Sequence, residues 1–197
     1  MGRLARFIHF YTEDSPSELP KEYRKIGGFS TDDNCYWTIT NLRLSGSDTI
    51  RFSFSVNAAC NVLGCYTTTS AQTNYSLYVG NASSAKYLRY NGGTYGSWAV
   101  ADKRYNVTIT PTGSKGMEED STWTQKEFNT VADFCICTTS IGVTSAKLKG
   151  SLYGNIVVDG KAKLIPCERK SDGALGYYDT YTKTFHVPAT GTPTPIY

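Results

Sequence analysis

The sequence is poor in the residues that most reactions need. Only two histidines, His9 and His186, occur among 197 residues, and they lie near opposite ends of the chain. That distribution gives little support to a Ser–His or Cys–His nucleophile pair, or to a histidine-based metal site. No paired C-x-x-C knuckles, phosphate-cradling P-loop or dinucleotide fingerprint occur either. Charged residues make up 19% of the chain and leave a formal net charge of +3, with Lys and Arg scattered. Nucleic-acid binding needs a clustered basic stripe, so no nucleic-acid partner is expected. No apolar run reaches the length of a membrane span, so no membrane partner is expected. The opening MGRLARFIHFY is basic but has neither a long apolar stretch nor a small-residue cleavage site. A secretory signal is therefore not expected, and synthesis in a cytoplasm is.

What is present points to β-structure. Hydrophobic residues form 40% of the chain, enough for one sizeable core and too little for two typical domains. Aromatics reach 13%, with 15 Tyr, beside abundant Thr, Ser and Gly. Residues 49–56 (TIRFSFSV) alternate strictly, setting Ile50, Phe52, Phe54 and Val56 against Arg51, Ser53 and Ser55. Such alternation predicts a half-buried antiparallel strand. Residues 75–79 and 105–109 repeat the pattern, while 131–137 is apolar on both faces apart from Asp133 and predicts a central strand. Asp159-Gly160 between two apolar runs predicts a tight hairpin. Many short strands with frequent Gly-bearing turns predict an all-β fold, a two-sheet antiparallel β-sandwich.

Residues 12–22 carry two prolines and no apolar periodicity. The predicted organisation is therefore an N-terminal arm or linker over 1–22, a compact domain over 23–189 and an exposed, proline-bearing tail over 190–197. Within the arm, Arg3, Phe7, Ile8, Phe10 and Tyr11 suit either a docking strand added to another protein's sheet or a local first strand. Six cysteines (35, 60, 65, 135, 137 and 167) read first as buried free thiols in a reducing compartment, next as disulfides and last as a metal site.

Residues 164–180 read LIPCERKSDGALGYYDT and continue YTKTFHVPATGT. The run of an apolar pair, Pro, Cys, a basic polar loop, Gly-Tyr-Tyr-Asp-Thr, Phe and Gly-Thr resembles the closing segment of a concanavalin A-like (laminin-G-like) jelly-roll family. That family is common in bacteriophage tail and other virion proteins, and in surface proteins of gut bacteria. The resemblance is close over 145–192 and loose over 19–144, where Leu19-Pro20 before Tyr23 matches the family's approach to its first strand. It implies a concanavalin A-like jelly roll in which Pro166, Gly173, Gly176, Tyr178, Asp179 and Phe185 form a structural motif. Physically, Pro166 suits the end of an edge pairing, Ser171-Asp172-Gly173 a turn, Asp179 a turn cap, and Tyr178 with Phe185 closure of the core. The motif speaks to fold, and to function only by association.

The search for chemistry yields few candidates. Glycosidases need paired carboxylates, and the dense acidic cluster is Glu118-Glu119-Asp120, which reads as a solvated turn. Asp32-Asp33-Asn34 supplies too few oxygens for Ca²⁺, so no metal or cofactor is expected. Residues 87–98 (YLRYNGGTYGSW) set Arg89, Tyr90, Asn91, Tyr95 and Trp98 around a glycine-rich turn. Aromatic faces with amide and guanidinium donors make this a candidate glycan-binding surface, although the same aromatics equally serve packing, the commoner use in β-proteins.

No catalytic residues are assigned and an enzyme is not expected. The function expected is a bacteriophage virion structural protein displaying a lectin-like binding domain. It would be a tail or fibre adhesin, or a capsid-decoration or head-fibre subunit, made in the host cytoplasm and located in the virion. Its expected partners are other virion proteins through the arm, host-surface or mucosal glycans, and a second copy of itself. A glycan-active hydrolase of the same fold and a bacterial cell-surface lectin are the alternatives.

Overall fold

A computed structural model describes residues 18–65, 75–79, 88–90, 93–96, 98–127, 129–138 and 147–197. Among these residues the regular elements are all strands. In chain order they begin with β1 (Tyr23–Lys25), β2 (Gly28–Asp32), β3 (Trp37–Ile39), β4 (Ile50–Val56), β5 (Cys60–Cys65) and β6 (Tyr75–Val79). Next come β7 (Leu88–Tyr90), β8 (Gly93–Tyr95), β9 (Tyr105–Thr110), β10 (Gly113–Lys115), β11 (Ser121–Thr122) and β12 (Phe134–Ile136). The order closes with β13 (Lys149–Val158), β14 (Ala162–Arg169), β15 (Leu175–Asp179), β16 (Thr184–His186) and β17 (Thr194–Ile196).

The strands form two antiparallel sheets. The larger has 11 strands, with the path β11-β10-β9-β4-β13-β14-β15-β16 and with β1, β2 and β17 attached beside it. The smaller has 6, in the order β3-β12-β5-β6-β7-β8. Their inner faces share one core, a sandwich-like arrangement. The alternation in β4 is realised in part: Ile50, Phe52, Phe54 and Val56 are buried and Arg51 is exposed, but Ser53 is half-buried and Ser55 is buried, its hydroxyl 3.1 Å from that of Tyr153 on β13. Across the core, Trp37 packs 4.9 Å from Phe29 and 5.2 Å edge-on from Tyr177, ring centroid to centroid. Trp37 Nε1 and the Tyr177 hydroxyl are both enclosed without a hydrogen-bond partner.

β13 organises the large sheet. One side pairs with β4 along most of its length, and the other pairs first with β2 and then with β14. The change of partner coincides with a register shift between Tyr153 and Val157, where the Gly154 N–H donates to the Gly27 carbonyl at 2.7 Å. Pro166 lies at the matching place on β14, between its pairing with β13 and its pairing with β1. Its carbonyl accepts from the Ile26 N–H at 3.1 Å, so the missing N–H also faces that gap rather than β15. Pro166 therefore marks an exchange of neighbours inside a sheet rather than the end of an edge pairing.

The Asp159-Gly160 hairpin forms as expected, with Gly160 at φ +68°. Asp172 closes the 170–173 turn by accepting from the Arg169 guanidinium at 2.6 Å and from the Ala174 N–H at 3.1 Å. Asp179 caps its turn, accepting from the Tyr181 N–H at 3.0 Å and the Thr182 hydroxyl at 2.8 Å.

Four further expectations change. Tyr178 and Phe185 do not close the main core. They form a second cluster on the opposite face of the sheet with Leu19, Tyr23, Ile165 and Cys167, and it is the neighbouring Tyr177 that points inward. The stretch expected as a strand over 131–137 is shorter: Val131 is 62% exposed and only Phe134–Ile136 pair, because the preceding residues bond to the 42–44 segment. Residues 190–197 are not simply an exposed tail, since β17 pairs with β2 as an edge strand, where Pro195 is tolerated. The 18–22 part of the expected arm is packed: Leu19 is buried against the second cluster, and Glu18 pairs with Lys163. Residues 1–17 lie outside the described residues.

The close approach of β13 to β4 allows no side chain at Gly150, which sits at φ +152° and where a Cβ would lie 2.1 Å from the Ser55 carbonyl oxygen. Gly150→Ala should cost about 3 kcal/mol or more, against about 1 kcal/mol for Gly173→Ala in its open turn, as read from urea unfolding. Tyr177→Phe should leave stability unchanged or raise it by about 1 kcal/mol, since it deletes an unpaired buried hydroxyl; a large loss would reveal a bond to that hydroxyl.

Candidate functional site

The aromatic turn at 87–98 is split by the fold. Arg89 and Tyr90 belong to β7 and Tyr95 ends β8, with Leu88 opposite Tyr95 and Tyr90 opposite Gly93, at the far edge of the small sheet. Asn91 lies outside the described residues. Tyr95 is half-buried and joins the main core, its ring 4.7 Å from that of Trp123. Trp98 is also half-buried, and its carbonyl accepts from the Glu118 N–H at 3.1 Å. The structure thus brings Tyr95 to Trp123, which the sequence did not single out, and gives both Tyr95 and Trp98 structural contacts.

The acidic turn is also engaged. Glu118 accepts from the Lys103 ammonium and from the Tyr105 hydroxyl, and these two bonds hold its carboxyl below the usual range. Burial, then the bond to Glu118, pushes Tyr105 up to about 12. Asp120 accepts from the Gly116 N–H at 3.1 Å. Glu118 thus ties the 116–120 turn to the 98–105 segment, while Asp120 closes the turn itself, and the two carboxylates serve separate structural bonds.

Asp33 pairs with Lys149 at 3.7 Å, and among the described residues no group of three His, Cys, Asp or Glu could hold a metal ion. All six cysteines are buried and free. Burial drives Cys35, Cys60, Cys65 and Cys167 up to about 12 and Cys135 to about 11, so these thiols are held un-ionised and unreactive. Burial of Cys137 also raises it well above the ordinary value. Among the described residues, no helix is long and apolar enough to cross a membrane.

A different place gathers uncharged polar side chains. β3 ends the small sheet and β16 ends the main path of the large one, and their free edges face each other across a groove of about 540 Å³. Thr38, Thr40 and Asn41 line one wall; Thr182, Thr184, Phe185, His186 and Val187 line the other. The walls are tied at one end by the Tyr36–Thr190 bridge and by the Ala189 N–H donating to the Tyr36 carbonyl at 2.8 Å. His186 Nε2 is enclosed without a partner, and burial lowers its pKa. The sequence carried no signal for this groove beyond the motif that contains His186.

No family model matches the chain, and no curated protein is similar to it at a significant level.

Because Tyr95 packs on Trp123 and the core, Tyr95→Ala should lower stability by about 1–3 kcal/mol in urea unfolding. A loss below about 0.5 kcal/mol would return Tyr95 to the candidates for a surface contact.

Proposed function

We propose that this protein is a bacteriophage virion structural component displaying a lectin-like domain of the concanavalin A-like jelly-roll type. In this reading it is a tail or fibre adhesin, or a capsid-decoration or head-fibre subunit, whose domain contacts host-surface or mucosal glycans. The observation that carries the reading is the coherence of the 147–192 part of the motif segment. Its motif residues Pro166, Gly176, Tyr178, Asp179 and Phe185 fall in or between successive strands of one antiparallel run, β13 to β16. The all-β pair of sheets around a shared core is consistent with that family's architecture. A hydrolase gains no support from the acidic turn, whose Glu118 is bonded to Lys103 and Tyr105.

Residues 1–17 are proposed to attach the domain to neighbouring virion proteins, since Phe7, Ile8, Phe10 and Tyr11 are suited to adding a strand to another sheet. Truncation of 1–17 should leave the thermal transition within a few degrees and abolish incorporation into particles, read by imaging and by protein content. A collapsed transition would make the segment part of the domain instead. Normal incorporation would remove it as the attachment.

A further inference from the structure

The groove between the edges of β3 and β16 is a recess bounded by two strand edges. Its volume of about 540 Å³ falls within the roughly 300–1,000 Å³ of ordinary ligand pockets. Two other depressions, about 280 Å³ beside Leu175 and Pro188 and about 220 Å³ beside Ser53 and Asn155, fall below that range. We infer that this groove is the ligand site of the domain and that it receives the end of a neutral oligosaccharide. The inference rests on the glycan-binding reading above.

Four observations select that ligand. First, the lining contains no Asp, Glu, Lys or Arg, and burial lowers the pKa of His186 against the opposing charge of Asp179, so the groove offers no fixed charge to an ionised ligand. Second, the polar groups match a sugar's alternating donors and acceptors. The Thr182 hydroxyl already donates to Asp179 at 2.8 Å, and the Thr184 hydroxyl to the Thr182 carbonyl at 3.3 Å, leaving both as acceptors. The Asn41 amide supplies donors from the opposite wall. Third, the half-exposed Val187 offers apolar surface to the CH face of a sugar ring. Fourth, the Tyr36–Thr190 bridge closes one end. An extended peptide adding to either edge would run on through the groove, whereas a chain end stops at the bridge. Several of the lining residues lie on strands, which hold such groups in place better than loops do.

The full chain, labelled with ¹⁵N, would be titrated with mannotriose, maltotriose and chitotriose, with trigalacturonic acid as the charged counterpart. A neutral trisaccharide should shift the amides of Thr38, Asn41, Thr184 and His186 saturably. Thr184→Val and Asn41→Gly, the latter keeping the φ of +66° that glycine adopts freely, should each weaken binding about tenfold without moving the melting transition. Equal response to trigalacturonic acid would overturn the neutral specificity. Saturable shifts confined to 93–98 would overturn the groove while leaving the glycan reading intact. Silence toward every sugar, with shifts in Trp37–Ile39 and Thr184–His186 on adding the peptide RLARFIHFYT, would replace the oligosaccharide with a docked strand. Silence toward all five probes at millimolar concentration would overturn both the groove and the glycan reading.

Discussion

The contact of Trp37 with Phe29 and Tyr177 ties the two sheets together, and much of the backbone is arranged to permit it. Trp37 comes from the small sheet, and Phe29 and Tyr177 come from β2 and β15 of the large one. Burying each ring contributes on the order of 1.5–3 kcal/mol, and aromatic pairing adds about 0.5–1.5 kcal/mol. Against this stand two enclosed polar atoms, Trp37 Nε1 and the Tyr177 hydroxyl, each costing on the order of 1–3 kcal/mol. The rings prevail because the apolar body of each side chain is far larger than its polar tip. Delivering Phe29 requires β2 to lie tightly against β13, and Gly28 makes that approach: a Cβ there would sit 2.0 Å from the Leu152 carbonyl oxygen.

From that contact the layout of the large sheet follows. β13 has β2 on one flank only as far as Tyr153, and β14 takes over after the register shift. The vacated flank of β14 is filled by β1, with Pro166 at the changeover where no N–H is needed. β1 and the residues before it carry Leu19 and Tyr23 onto the outer face, where they meet Tyr178 and Phe185. One strand, β15, therefore serves two clusters with adjacent tyrosines, Tyr177 inward and Tyr178 outward. The same block ends in β16, whose free edge makes one wall of the groove opposite β3.

The parts legible in the sequence were those governed by near neighbours. Alternation at 49–56, the hairpin at Asp159-Gly160, the turn at Asp172 and the cap at Asp179 each depend on residues within one strand or turn, and each forms as read except at Ser55, which the neighbouring β13 buries. The stretch at 131–137 was half legible: its apolar character marked a central strand, but the bonds of 129–134 to the 42–44 segment, which expose Val131, are long-range. The prolines of 190–197 suggest an exposed tail; most of the segment is exposed, and the position of β2 beside it turns Thr194–Ile196 into an edge strand. Of the aromatic candidate, Tyr95 met Trp123 across 28 residues of chain, a partner no local pattern indicates.

The sequence by itself determined the strand class, the local turns and the burial of its cysteines, because composition and period-two patterning act residue by residue. The tertiary structure alone decided which tyrosine of the Tyr177–Tyr178 pair faces the core and which carboxylates are tied to cations. It also decided where two sheet edges leave a recess lined by Thr38, Asn41, Thr184 and His186. Those outcomes depend on which strands become neighbours. Neighbour choice is set by the summed burial of both sheets, so no single segment carries it.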